Sequence, residues 1–324
     1  MLTWLMLFVG GWLLYFGAQW FVAGASGLAL ALRVPQLIVG LTVVAYGTSA
    51  PEIVVGIQAA LDGHPDVALG NVVGSNIANV GLILGVATLI RPARVDGSLR
   101  GRELPVMLAT TALVPLVLWD AVVTRWEGVA LIGCGVAYTM WMVGAARSSR
   151  EVVTALVEVG EEQEVAAAAG APSPIGKWRA VAVAVGGLLV LLLGGQLFVR
   201  GAVQAATILG MSERLVGLTI VAVGTSLPEL LTSVIAARRG YSDLAIGNVV
   251  GSNIFNIVIC LGSASAVRPL PSAVAPLMLD LVALGIVTLI AGYFLRSERT
   301  MARWEGGVLL SIYLLLNVGA VLRG

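Results

Sequence analysis

The stretches "GLTVVAYGTSAPE" at 40–52 and "GLTIVAVGTSLPE" at 217–229 are near-copies of one another. Each ends on a glutamate, Glu52 or Glu229, inside sequence apolar enough to lie in lipid. A charged side chain at mid-membrane costs at least about 2.5–3.5 kcal/mol on insertion scales, so an intramembrane carboxylate is by default a functional group. The surrounding chain is 58% hydrophobic and 11% charged, with mean hydropathy +0.97. Soluble domains carry roughly 25% charged residues. The composition is that of an all-α integral membrane protein, since barrel strands would alternate apolar and polar residues in segments of about ten.

Apolar runs long enough for helical spans of about 20 residues fall near 2–32, 35–60, 67–90, 105–119, 128–145, 180–210, 213–237, 243–266, 272–295 and 306–322. The fourth and tenth are short. The first basic residue is Arg33, which does not fit the basic n-region of a signal peptide, so the opening run is expected to be a true first helix. The net charge of +1 gives no case for nucleic acid. Cys134 and Cys260 fall inside spans and read as small packing residues.

Adding 177 to a position in the first half lands on its counterpart in the second: Gly47 on Gly224, Glu52 on Glu229, Asn71 on Asn248, Asn79 on Asn256. Halves of five spans each must insert upside down relative to one another. The expected architecture is therefore ten transmembrane helices in two inverted-topology five-helix repeats, 1–145 and 180–324, joined by a cytoplasmic linker at 146–179. Such repeats put a substrate site near the bilayer midplane on discontinuous helices and support alternating access. The linker carries Glu151, Glu158, Glu161, Glu162 and Glu164, then Pro172 and Pro174; it reads as a solvated linker or short cytosolic helix without EF-hand spacing. With the N-terminus outside, inner loops take 14 of the 19 Lys and Arg, so both termini are expected outside or in the periplasm of a plasma (inner) membrane. Trp119, Trp126, Trp178 and Trp304 read as interface anchors.

The chemistry lies in the repeated core. Pro51 has no N–H and its ring clashes with the carbonyl of Gly47, so the helix should kink or break there, made easier by the glycine. Freed carbonyls at membrane depth need a polar partner, and a cation supplies one. Thr48 and Glu52, four apart, share a face beside Ser49. The next span, "GNVVGSNIAN" at 70–79 and "GNVVGSNIFN" at 247–256, adds stripes of Asn71, Ser75, Asn79 and of Asn248, Ser252, Asn256. Gly70 with Gly74, and Gly247 with Gly251, form GxxxG faces that allow close helix approach. Hydroxyls, carboxylates and carbonyls are the hard oxygen ligands calcium prefers. For Asn71, Asn76, Asn248 and Asn253, interhelical packing and ion binding stay open as alternatives.

These paired segments resemble the two alpha-repeats of the sodium/calcium exchangers, within the cation/calcium antiporter superfamily. The resemblance implies ten helices with inverted repeats and a cluster of cation sites between the second, third, seventh and eighth. It makes Glu52 and Glu229 the central calcium ligands, assisted by Thr48 and Thr225. Ser49, Ser75, Ser226 and Ser252 would serve flanking sodium sites with the main-chain oxygens of Ala45 and Ala222, and Asn79 and Asn256 would line the centre. Many relatives carry aspartate at one of these last two positions; both are Asn here, which disfavours potassium co-transport. The implied function is calcium-for-sodium antiport, without catalysis or a cofactor, the partners being the two ions and the bilayer. Protons are the rival counter-ion, because two close buried carboxylates favour the neutral form. A passive channel and an intramembrane protease are further alternatives, the latter without an evident dyad, since His64 sits in the outer "DGHPD" turn.

Overall fold

The computed structural model describes residues 2–158, 176–211, 222–272, 274–297 and 300–323, and among these the chain is nearly all helical. The helices are α1 (Leu2–Leu32), α2 (Gln36–Thr48), α3 (Ala50–Asp62), α4 (Pro65–Ile90), α5 (Leu104–Val117), α6 (Arg125–Glu158), α7 (Lys177–Ile208), α8 (Leu227–Arg239), α9 (Ser242–Val267), α10 (Val274–Ser297) and α11 (Arg303–Arg323). Every apolar run named above contains helix. Six of the helices are long and apolar enough to cross a membrane, or seven counting α2 with α3 as one bent span. The acidic stretch Glu161–Glu164, Pro172, Pro174 and the start of the seventh run lie outside the described residues.

Glycine spacing explains the tightest packing. Gly10, Gly17 and Gly24 of α1 lie against Phe198, Leu191 and Ala184 of α7, while Gly187, Gly194 and Gly201 of α7 lie against Phe21, Leu14 and Leu7. The register runs backwards along α7, so the two helices are antiparallel, and the two sets of glycines are themselves related by the offset of 177. A Cβ at Gly17 would come within 2.4 Å of the Leu191 backbone nitrogen, and one at Gly194 within 2.4 Å of that of Leu14. Only hydrogen at these positions allows backbones so close. The outer face of α1 is apolar and bare, with Trp4, Phe8 and Trp12 each at least 60% exposed, as lipid contact requires. Trp119, Trp126, Trp178 and Trp304 are also exposed.

The ends of the core helices α4 and α9 are tied into neighbouring loops by two short ladders. β1 (Ala93–Arg94) pairs antiparallel with β4 (Thr300–Met301), and β2 (Val122–Val123) with β3 (Leu270–Pro271). Gly63 and Gly240 end α3 and α8 in the left-handed region, φ 81° and 88°, where a side chain would be strained. Arg268 Nη1 donates to Leu61 O at 3.1 Å, taking up a terminal carbonyl of α3.

Three local expectations change. The first helix break falls at Ser49 (φ −80°, ψ 3°) rather than at Gly47, with a 42° bend between α2 and α3. Pro51 starts the new helix, where its missing N–H costs nothing, and Gly47 serves packing: a Cβ there would sit 3.0 Å from Leu188 and 3.2 Å from Phe21. The close approach expected of the GxxxG pairs is met at Gly247 and Gly251, which pack on Leu37, Leu41 and Ala45. Gly70 and Gly74 have nothing within 4 Å among the described residues; the positions opposite them by the offset, around 214–218, lie outside those. Cys260 is a hydrogen-bond donor and not merely a packing residue, since its Sγ stands 3.1 Å from Glu52 O.

Candidate cation site between the broken helices

Proline places each glutamate. Pro51 and Pro228 occupy the first turn of α3 and α8, so Glu52 and Glu229 follow in the same first turn. There the unpaired N–H groups and the helix dipole favour a negative charge. Both carboxylates are 1% exposed, and no Lys or Arg is ion-paired to either among the described residues. Each is instead held by the helix break of the other half. Ser49 Oγ donates to Glu229 Oε1 at 3.2 Å, and Ser226 Oγ donates to Glu52 Oε1 at 3.5 Å. The two near-copies therefore converge on one chamber.

Behind the carboxylates, amides fix the backbone. Asn71 Nδ2 donates to Glu52 O at 3.1 Å, and Asn248 Nδ2 to Glu229 O at 3.4 Å. The second brace differs between halves. Cys260 Sγ joins Asn71 at Glu52 O, whereas Asn248 turns also to Ser233 Oγ at 2.9 Å. Thr48 Oγ1 donates within its own helix to Val44 O and reaches Asn248 Oδ1 at 3.2 Å. On the chamber's far wall, Asn79 and Asn256 each open a six-residue π-helical segment, 79–84 and 256–261. Such wide turns re-aim side chains and recur at functional sites. Asn256 Nδ2 donates to Ser75 Oγ at 3.0 Å and to Asn76 Oδ1 at 3.2 Å.

What remains is a set of buried oxygens without hydrogen-bond partners. Glu52 Oε2, Glu229 Oε2, Asn79 Oδ1, Asn256 Oδ1 and Ser252 Oγ are all fully enclosed and have no hydrogen-bond partner among the described residues. Four of the five form two offset-related pairs. A buried acceptor left unpaired costs about 1–3 kcal/mol, more when charged, and so many in one region call for a shared partner. Oxygens alone, two of them from carboxylates, are a donor set that fits a hard cation.

Of the residues singled out in the sequence, hydrogen bonds gather Thr48, Ser49 and Glu229 into one network through Asn248, and Glu52, Ser75, Asn79, Ser226 and Asn256 into a second through Asn71, Asn76 and Asn253. Ser252 is buried with them. Ala45 O already accepts from Ser49 N–H at 3.0 Å, leaving a second lone pair. Thr225 sits half-buried in the turn before Ser226, and the Ala222 side chain lies outside the described residues. The bracing role of Asn71 and Asn248 was signalled by their four-residue spacing to Ser75 and Ser252, whereas nothing in the sequence pointed to Cys260. A cavity of about 430 Å³ opens elsewhere, lined by Tyr46, Val136, Thr139, Met140, Val143 and Gly144, and takes no part in this chamber.

Apolar helices with lipid-ready outer faces around a buried cluster of carboxylate, amide and hydroxyl oxygens define a multi-pass membrane protein that handles cations. The profile of the sodium/calcium exchanger protein family matches residues 2–144 and 179–322, and the chain belongs to that family. It is 38% identical to the putative antiporter CaxA of Alkalimonas amylolytica over 313 residues, covering 96% of each chain. It is 32% identical to the sodium/calcium exchanger MaX1 of Methanosarcina acetivorans, covering 95% of each. Its structure is similar to that of the sodium-calcium exchanger NCX_Mj soaked with Na⁺ and Ca²⁺, with a TM-score of 0.83, 31% identity and 97% of each chain covered. Family membership assigns the chain to cation/calcium antiport and to a transporter family rather than a catalytic one.

Proposed function

We propose that this chain is a secondary active antiporter exchanging calcium for sodium by alternating access. The observation that carries this reading is the set of paired orphan oxygens, Glu52 Oε2 with Glu229 Oε2 and Asn79 Oδ1 with Asn256 Oδ1. Glu52 and Glu229 bind Ca²⁺ at the centre, with Thr48 and Thr225 beside them. Asn79 and Asn256 line the centre. Ser49, Ser75, Ser226 and Ser252, with the main-chain oxygens of Ala45 and Ala222, serve flanking Na⁺ sites. Two carboxylates neutralise one Ca²⁺, whereas three Na⁺ leave one surplus positive charge, so exchange is electrogenic. No resident cofactor takes part.

The ten-span layout belongs to the same reading: inverted five-helix repeats at 1–145 and 180–324, a cytoplasmic linker at 146–179, and both termini outside a plasma membrane. The antiparallel α1–α7 pair with its offset-related glycines supports it, as do the reciprocal contacts between the two helix breaks. The test is Ca²⁺ uptake into Na⁺-loaded proteoliposomes at equal pH on both sides, with the membrane potential recorded. Uptake that needs internal Na⁺ and drives a current is expected. Uptake driven only by a pH gradient would make protons the counter-ion, and uptake without current would remove the three-for-one stoichiometry.

A further inference from the structure

Asn76 and Asn253 are equivalent by the offset of 177 and both are buried. Each accepts a hydrogen bond from a chamber-lining amide of the other half. Asn256 Nδ2 donates to Asn76 Oδ1 at 3.2 Å, and Asn79 Nδ2 donates to Asn253 Oδ1 at 3.5 Å. A carboxamide has an oxygen end that can face a cation and an NH₂ end that repels one. In both Asn79 and Asn256 the NH₂ end is turned to its partner and Oδ1 is left enclosed without one. We propose that Asn253 and Asn76 are positioning residues for ion binding: by accepting from the NH₂ end, they hold the oxygen ends of Asn79 and Asn256 toward the cation. This rests on the ion site proposed above.

The partners are themselves oriented. Asn76 Nδ2 donates to the backbone oxygen of Asn253 at 3.4 Å, and Asn253 Nδ2 points to Met107 Sδ at 3.8 Å. Their own oxygens are thereby directed at the neighbouring amides. The two halves differ in how firmly this is done. Asn256 has a second acceptor in Ser75 Oγ, whose proton is taken up by Asn71 O at 2.6 Å. Asn79 has Asn253 as its one acceptor among the described residues. Loss of Asn253 therefore frees an amide to turn its nitrogen to the ion, whereas loss of Asn76 leaves Asn256 still held by Ser75.

A carboxylate at position 79 has two equivalent oxygens and needs no orienting, which separates positioning from packing. The experiment measures equilibrium binding of radiolabelled Ca²⁺ to purified full-length protein for Asn253→Leu, Asn76→Leu, Asn79→Asp, Asn79→Asp with Asn253→Leu, and Glu52→Gln. Asn253→Leu should raise the half-saturating Ca²⁺ concentration on the order of tenfold, the scale of one misplaced buried polar group. Asn76→Leu should shift it less. In the Asn79→Asp background, Asn253→Leu should add less than about threefold, as the orienting bond no longer counts. An equal cost in both backgrounds makes Asn253 a packing residue and overturns the proposal. Unaltered binding in Asn253→Leu together with lost binding in Glu52→Gln also overturns it, while the ion site stands. Unaltered binding in Glu52→Gln removes the ion site and the orientation with it.

Discussion

Replacing Glu52 by Gln isolates charge from geometry. Glu52 Oε1 accepts from Ser226 Oγ and Oε2 faces the chamber unpaired. A glutamine can give its NH₂ to the Ser226 oxygen and keep its carbonyl oxygen on the chamber side, so the ligand count survives and one negative charge is lost. Breaking a buried opposite-charge pair by removing one partner costs about 3–5 kcal/mol. That is roughly two to four decades of Ca²⁺ affinity. Sodium carries half the charge and should lose about half as much free energy at similar ligand distances. The assay is titration calorimetry with Ca²⁺ and Na⁺ on detergent-purified protein, paired with Ca²⁺ uptake into Na⁺-loaded proteoliposomes. Without ions, the variant should melt no lower than the parent, because one of two charges buried without a cationic side chain is gone. The parent should gain about 2.7 kcal/mol at a hundredfold excess of Ca²⁺ over its dissociation constant, a gain the variant lacks at that concentration. Parental uptake by a folded Glu52→Gln protein would refute the placement of calcium on this carboxylate.

Ser49→Ala and Ser226→Ala each remove the hydroxyl that holds the opposite glutamate, and calcium titration should show about tenfold to a hundredfold weaker binding, the scale of one hydrogen bond to a charged group. Asn248→Ala should weaken calcium binding more than Asn71→Ala does, since Asn248 bonds Glu229 O, Ser233 and Thr48, while Cys260 still supports Glu52 O when Asn71 is lost; equal losses would count against the bracing roles. Gly17→Ala and Gly194→Ala place a Cβ about 2.4 Å from a facing backbone nitrogen, and should lower the melting temperature by several degrees, an overpacking cost of roughly 1–3 kcal/mol. Gly74→Ala, with nothing within 4 Å among the described residues, is expected to leave it unchanged.

The helical class, the pairing of Glu52 with Glu229 and the polar stripes were legible because each rests on a local rule applied twice. An apolar run of helical length, a proline that must start a new turn, and a four-residue polar spacing all survive any tertiary arrangement. The break was misplaced by two residues because Pro51 tolerates the first turn of α3, which moves the discontinuity upstream of the proline to Ser49, while Gly47 answers to Phe21 and Leu188 from helices far away in sequence. The same limit hid the crossing of the halves. That Ser49 serves Glu229, and Ser226 serves Glu52, follows from the helix breaks of the two halves meeting across the core, which no spacing within either copy encodes.

Duplication does not make the two carboxylates equivalent. Position 56 is Gly and its counterpart 233 is Ser; position 260 is Cys and its counterpart 83 is Ile. The missing side chain at Gly56 leaves room for the Cys260 thiol, which a Cβ there would approach to 3.1 Å, and the thiol reaches Glu52 O. On the other side Ser233 fills the space from its own helix and engages Asn248 rather than Glu229 O. A thiol is the weaker donor, so the Glu52 backbone is held by one firm bond and one soft one. Glu229 is held through an amide tied at both ends. The halves thus share the proposed ligands and differ in the stiffness behind them, and on that proposal Glu52 is expected to be the carboxylate whose helix yields first when the ion leaves. Cys260→Ser, a stronger donor of similar size, tests this: calcium release rates should fall in stopped-flow dilution, while an unchanged rate would assign the thiol to packing alone.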